Sequence, residues 1–265
     1  MTPGLMRRKG REKSGNPHCM KKLSSLSIFF PFYNEEANIE RVVRSAVSAA
    51  PNFADAFEVI AVNDGSRDKT GEIAERLAAE IPQVRAVHNN PNLGYGGAVV
   101  RGLTESKMDW IFFTDGDGQF DINELPKLIE LLDRGDFAVG YRIKRADAFM
   151  RKVNAWCWGT LVRALFGLKV RDIDCAFKLL PKSLIDRIQL HSRGALISTE
   201  LLAKAKNHGL RIVETGVNHY PRTAGEQTGA KLSVILRAFA ELLKLRRHIR
   251  MEGMEAAGDK TDKKK

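Results

Sequence analysis

Four times in the first 115 residues a short apolar run stops abruptly at polar or glycine residues. Ser25 to Phe32 leads into Tyr33-Asn34-Glu35, and Phe57 to Asn63 into Asp64-Gly65-Ser66. Val84 to His88 leads into Asn90-Pro91-Asn92-Leu93-Gly94, and Trp110 to Thr114 into Asp115. Between the runs, apolar residues fall at helical spacing, as at Ile39, Val42, Val43, Ala46 and Val47, and again over 68–79 and 94–106. Strand and helix alternating at this rhythm predict a doubly wound α/β fold, with a mostly parallel sheet covered by helices on both faces. In such sheets ligands bind outside the carboxyl ends of the strands. Glu35, Asp64, Asn92 and Asp115, far apart in sequence, are therefore expected to share one crevice. Each of these polar residues has a plainer reading as a helix cap. The cap is favoured for Asn34 and Asp68, and a functional role for Asp64 and Asp117.

The most specific of the four ends is Asp115-Gly116-Asp117-Gly118-Gln119. Two carboxylates one residue apart repel each other, and a hard cation relieves that repulsion. Magnesium takes one or two carboxylates and completes its shell with water and substrate phosphates. The spacing alone suits a metal site and a solvated turn equally well. A calcium loop is excluded, because its twelfth position carries Pro126 in place of a glutamate.

Beyond the central strand the pattern continues with a helix over 123–132 and a strand over 136–140 followed by Tyr141-Arg142. A helix over 146–166, a strand over 175–180, a helix over 195–207 containing Glu200, and one or two strands over 210–220 follow. Pro221-Arg222 opens a loop. The chain has 265 residues and is 43% hydrophobic, enough for one large domain with a real core. Cys19, Cys157 and Cys175 show no paired spacing, which argues for reduced thiols, read most simply as small apolar residues.

The net charge of +11 sits at the ends. Residues 1–22 hold seven Lys and Arg against one acid, residues 231–265 hold ten against five, and 23–230 is neutral. A nucleic-acid enzyme carries its basic stripe on the folded face that meets phosphate, so nucleic acid is not an expected partner. A non-enzymatic basic module is disfavoured by the same neutral core. Basic ends suit solvated tails or an anionic membrane surface. Residues 1–22 read as a disordered basic arm, 23–230 as the catalytic domain, 231–250 as an amphipathic basic helix and 251–265 as a disordered Lys-rich tail. The stripe Leu232, Ile235, Leu236, Phe239, Leu242, Leu243 and Ile249 either lies in a membrane interface or packs on protein. No run of 18 apolar residues exists, so no helix is expected to span a bilayer.

Taken in order, Pro31-Phe32-Tyr33-Asn34-Glu35, Asn63-Asp64-Gly65-Ser66, Asn92-Leu93-Gly94 and Asp115-Gly116-Asp117-Gly118-Gln119 resemble the family-2 glycosyltransferases. Gly140-Tyr141-Arg142 and Pro221-Arg222 narrow the resemblance to dolichyl-phosphate mannose and other polyprenyl-phosphate sugar synthases. The resemblance covers about residues 24–230. It implies the type-A glycosyltransferase fold, a single Rossmann-like domain. It also implies a nucleotide-sugar donor such as GDP-mannose or a UDP-hexose, a divalent metal, Mg2+ or Mn2+, and a polyprenyl phosphate acceptor. By that resemblance Asp64 contacts the base or ribose, with Pro31, Tyr33, Glu35, Asn92 and Gly94 completing the donor site. Asp115, Asp117 and Gln119 hold the metal on the pyrophosphate. Arg142, Arg151 and Arg222 meet the acceptor phosphate, and Asp117 and Arg142 are the implied catalytic residues. Sugar transfer with inversion at the cytoplasmic membrane face, by a peripheral protein or one docked on a separate membrane subunit, is the implied activity.

Two departures stand out. The family often has Asp-Asp where this chain has Asn63-Asp64, and Asp-Ala-Asp-Leu-Gln where this chain has glycines; those glycines are expected to loosen the metal loop. A lipid phosphate is already an anion and needs no general base, whereas an alcohol does. If the acceptor is instead a hydroxyl on a growing glycan, Asp172 and Asp174 are the candidate bases. Otherwise they pair with Arg171 or Lys178.

Overall fold

The computed structural model describes residues 21–143, 149–222 and 241–251, and for 149–157 only the course of the helix. Seven strands form one sheet: β1 (Leu23–Phe32), β2 (Ala54–Asn63), β3 (Val84–His88), β4 (Trp110–Phe113), β5 (Phe137–Arg142), β6 (Lys178–Pro181) and β7 (Ile212–Val217). Their spatial order is β3-β2-β1-β4-β6-β5-β7. The helices are α1 (Ile39–Ala49), α2 (Thr70–Glu80), α3 (Gly94–Glu105), α4 (Pro126–Leu131), α5 (Phe149–Phe166), the single turn α6 (Lys182–Ile185) and α7 (Ile197–Asn207). Residues 241–251 are also helical.

The sheet obeys period-two alternation. On β1, Leu26, Ile28, Phe30 and Phe32 face a core closed by α1, α2 and α4, while Phe29 faces a second core closed by α3, α5 and α7. On β4, Phe112 belongs to the first core, and Ile111 and Phe113 to the second. Phe29 and Phe113 stack across neighbouring strands with ring centroids 5.1 Å apart. Leu242, Leu245 and Ile249 are buried in the second core. In the described part of the C-terminal helix, then, these apolar positions pack on the domain, while Leu243 points outward and is 62% exposed.

The chain winds from β1 outward to β2 and β3, then crosses back to place β4 on the other side of β1; all these neighbours are parallel. The order reverses between β1 and β4, and a crevice opens there at the strands' carboxyl ends. β6 is antiparallel to both β4 and β5, and β7 is parallel to β5. Two reversals restore direction, so β5 and β7 end at the same edge as β1, β2 and β4. Arg142 and the segment leading to Arg222 are thereby brought to the edge that carries Asp64 and Asp115. The direction of β6 could not be read from its composition, because a short buried strand looks alike either way.

One expected helix start is corrected. Asn34 does not cap α1, which begins five residues later. It sits at φ +53°, and its side-chain oxygen accepts the Arg67 N–H at 2.9 Å while its own N–H reaches Ser66 at 3.0 Å. Asparagine tolerates the left-handed region, and here it locks the loop after β1 to the loop after β2. Asp68 fulfils its expected role more closely, accepting the Thr70 N–H at the start of α2 at 3.0 Å.

Candidate functional site

A cavity of about 760 Å³ opens at the switch point. Pro31, Tyr33, Glu35, Asp64, Asn92, Gly94, Asp115 and Asp117 all line it, together with Arg222 and Tyr95. Residues from four strand ends therefore meet in one place, because parallel strands deliver their carboxyl ends to one edge.

Asp64 is almost wholly buried. One carboxylate oxygen accepts from the Asn89 amide at 2.8 Å and the Leu93 N–H at 2.9 Å, and its carbonyl accepts from Asn92 at 2.6 Å. It thus holds the turn before α3 while facing the cavity. Asn63 meets His88 Nδ1 at 3.0 Å and accepts the Ser66 N–H at 3.1 Å. An amide can donate to an imidazole and accept from an N–H at once, which an ionised carboxylate cannot.

Asp115 and Asp117 both line the cavity, with Gly116 between them in the chain. Burial and then the charge of Asp117 push the Asp115 carboxyl up to about 6, opposed by the Tyr95 hydroxyl and by the Lys178 and Arg142 charges. Asp117 accepts the Gln119 N–H at 3.0 Å. Among the described residues no group of three or more His, Cys, Asp and Glu forms a closed metal cage. An electrostatically uncomfortable carboxylate pair on an open cavity fits a cation that takes the rest of its shell from water and diphosphate oxygens.

The loop around this pair is tighter than its glycines imply. A Cβ at Gly116 would press into the Phe32 ring and lie 2.9 Å from the Pro31 carbonyl, and Gly118 sits at φ +73°. The expected loosening is corrected: both glycines are there for close approach and backbone geometry. Gln119 does not line the cavity. Its amide donates to the Tyr220 carbonyl at 2.9 Å, and its own carbonyl accepts the Tyr220 N–H at 2.8 Å. It ties the carboxylate loop to the chain after β7.

Arg222 lies inside the cavity, where its guanidinium donates to Glu35. Burial raises the Glu35 carboxyl, helped by Asp117 and Asp68 and opposed by Asn38 and Arg222. Arg142 does not line this cavity; it forms a two-pronged bond with Asp172, Nε to Oδ2 at 2.7 Å and Nη2 to Oδ1 at 2.9 Å. The expected partners of Asp172 are therefore corrected. Arg171 turns outward to Glu214 at 3.1 Å and over the Tyr141 ring, and buried Lys178 donates to the carbonyls of Ile173 and Cys175. A planar fork matches a carboxylate better than the ammonium does. The Arg151 side chain, Trp156, Cys157, and residues 1–20, 223–240 and 252–265 with their expected arm, tail and first half of the basic helix lie outside the described residues. Cys175 is buried, and burial pushes its thiol up to about 11.

Tyr95 escaped the reading of the sequence. It is the one bulky side chain in Gly94-Tyr95-Gly96-Gly97, and an aromatic residue in a glycine run at a helix start was the available signal.

A doubly wound sheet with a carboxylate-lined crevice at its switch point defines an α/β protein whose ligand site lies at the carboxyl ends of its strands. The model of glycosyl transferase family 2 matches residues 27–189, and the chain belongs to that family. The type-A fold is shared with glucosyl-3-phosphoglycerate synthase of Mycobacterium tuberculosis, solved with Mn2+ and UDP-glucose (TM-score 0.63, 22% identity, 84% of this chain and 79% of that one). Among curated relatives, glycosyltransferase AglD of Haloferax volcanii is 33% identical over 207 residues, covering 74% of this chain and 33% of AglD. Dodecaprenyl-phosphate galacturonate synthase of Rhizobium johnstonii is 30% identical, covering 76% of this chain and 60% of the relative. Undecaprenyl-phosphate 4-deoxy-4-formamido-L-arabinose transferase of Edwardsiella ictaluri is 29% identical, covering 81% and 66%. The chain thus spans between a third and two thirds of the length of these relatives.

Proposed function

We propose that the chain transfers a hexose, with inversion, from a nucleotide-sugar to a polyprenyl phosphate at the cytoplasmic face of a membrane. The convergence of Asp64, Asp115, Asp117 and Arg222 on one switch-point cavity carries the donor half of this reading. The names of the curated relatives support the acceptor half. Asp64 and its Asn89–Leu93 turn bind the nucleoside end. Asp115 and Asp117 hold Mg2+ or Mn2+, which when bound neutralises the charge that develops on the departing diphosphate. Arg222 adds a positive charge on the same side once it leaves Glu35.

An oxygen of the lipid phosphate attacks the anomeric carbon, the bond from that carbon to the diphosphate oxygen breaks, and the nucleoside diphosphate leaves. No proton has to be removed from this nucleophile. Arg142, oriented by Asp172, binds the phosphate through whatever part of its fork Asp172 leaves open. One of the two candidate bases for a hydroxyl acceptor, Asp172, is committed to Arg142. Among the described residues no helix is long and apolar enough to cross a membrane.

The test supplies a radiolabelled nucleotide-sugar with a short polyprenyl phosphate, the matching polyprenol, or a sugar, with and without EDTA. Label moves to the organic phase only with the phosphate and only without EDTA. Arg142→Ala lowers lipid transfer at least tenfold more than it lowers slow donor hydrolysis. Comparable transfer to polyprenol or sugar refutes the acceptor, and transfer undiminished by EDTA refutes the metal.

A further inference from the structure

We propose that the buried Glu200–Lys204 pair is a positioning device for the donor side of the cavity, strapping the 189–193 loop against the first turn of α3. The inference rests on the donor reading above. Glu200 lies on α7 with no exposed surface, and Lys204 one turn on is equally enclosed. Glu200 accepts the His191 N–H at 3.0 and 3.1 Å and the Ser192 N–H at 2.7 Å, while Lys204 approaches it at 3.1 Å and also donates to the Gln189 carbonyl. Two opposite charges therefore grip one loop, the carboxylate by its N–H groups and the ammonium by a carbonyl. Burial opposes ionisation of Glu200, but the Ser192 and His191 hydrogen bonds and the Lys204 charge hold its carboxyl below the usual range.

The strap reaches the cavity through backbone alone. The Arg193 carbonyl accepts the Gly96 N–H at 2.8 Å. A Cβ at Gly96 would lie 2.5 Å from the Ser192 oxygen, and one at Gly94 would lie 3.0 Å from the Arg193 oxygen. Loop and helix turn meet main chain to main chain, which is why both positions are glycine. Between these glycines stands Tyr95, which lines the cavity together with Asp115. The outer side of the loop is covered by the C-terminal helix, where His248 meets His191 with ring centroids 4.7 Å apart.

A buried ion pair contributes little stability compared with well-packed apolar residues in its place. What it supplies is direction, since the carboxylate accepts from the loop's N–H groups and the ammonium donates to its carbonyl, bonds that apolar side chains cannot make. Glu200 is sealed from the cavity and committed to the loop, so it acts through Gly96 and Tyr95 and not as a base.

The test compares the wild type with Glu200→Met/Lys204→Met and with Gly96→Ala, which pushes on the same contact from the other side. Hydrogen exchange of the 94–99 amides reports the turn, and titration with UDP and with GDP in the presence of MnCl2 reports the donor site. Both variants should speed exchange of the backbone amide at position 96 at least tenfold and weaken nucleotide binding at least tenfold. The pair variant also leaves the His191 and Ser192 N–H groups and the Gln189 carbonyl without these partners, so its thermal midpoint should fall. Combining the substitutions should add less than twofold, because both cut one linkage. Unchanged exchange, unchanged nucleotide affinity, or fully additive losses overturn the inference. If the pair variant fails to fold, Gly96→Ala judged by the same two readings decides it. A wild-type chain that binds neither nucleotide refutes the donor reading itself, before any variant is compared.

Discussion

The carboxylate pair should make the metal-free protein less stable as pH rises, and Asp115→Asn should abolish that effect. Asp115 is shifted from 3.8 to about 6, chiefly by burial and then by Asp117. A carboxyl raised on folding binds its proton more tightly in the folded state, so its contribution is fully present below the unfolded value and lost as pH rises through about 6. A shift of about 2 units corresponds to at most about 3 kcal/mol. Roughly half of that, about 1–1.5 kcal/mol, falls between pH 5 and pH 8. Urea unfolding in EDTA at these two pH values measures it. Every other titrating group is shared by wild type and variant, so the informative quantity is the difference between them. The stability advantage of Asp115→Asn over the wild type should grow by about 1–1.5 kcal/mol from pH 5 to pH 8. Saturating Mn2+ should remove the Asp115 share of the wild type's pH dependence between pH 5 and pH 8 by replacing the proton with a cation. An advantage that stays constant or shrinks with rising pH would refute the claim that Asp115 is a strained carboxylate waiting for a counter-charge.

Gly116→Ala should cost about 1–3 kcal/mol, read as a lower thermal midpoint, because the new methyl group meets Phe32 and the Pro31 carbonyl; an unshifted midpoint would show that the loop has slack. Ending the chain after residue 240 removes Leu242, Leu245 and Ile249 from the second core. At about 1.5–3 kcal/mol for each fully buried side chain, the truncated protein should unfold at markedly lower urea, and an unchanged midpoint would assign that stripe to a surface outside the domain.

Most of the architecture could be read in advance, and the reasons are local. Alternation of apolar runs with helical spacing depends only on neighbours in sequence, so the strands ending at Phe32, Asn63, His88 and Phe113 were visible as strands. The rule that parallel strands deliver their ends to one edge then gathered Glu35, Asp64, Asn92 and Asp115, and the cavity contains all four. What misled was partnership. Asn34 looked like a cap because helix-start statistics see only the following residues, whereas its true partner, Arg67, is 33 positions away. Asp172 was assigned near neighbours, and Arg142, 30 positions away, took it.

The sequence by itself determined the class of sheet, the edge at which its polar ends gather and the presence of a carboxylate pair, because these follow from patterns of two to four residues that repeat along the chain. Only the tertiary structure decided that β6 runs antiparallel, that Gly116 is glycine because Phe32 leaves no room, that Gln119 reaches Tyr220, and that the C-terminal helix returns at Leu242, Leu245 and Ile249 to close the second core. Each of these depends on which distant group fills a given volume or satisfies a given hydrogen bond. Close packing and polar satisfaction are properties of the whole folded chain, and no window of sequence contains them.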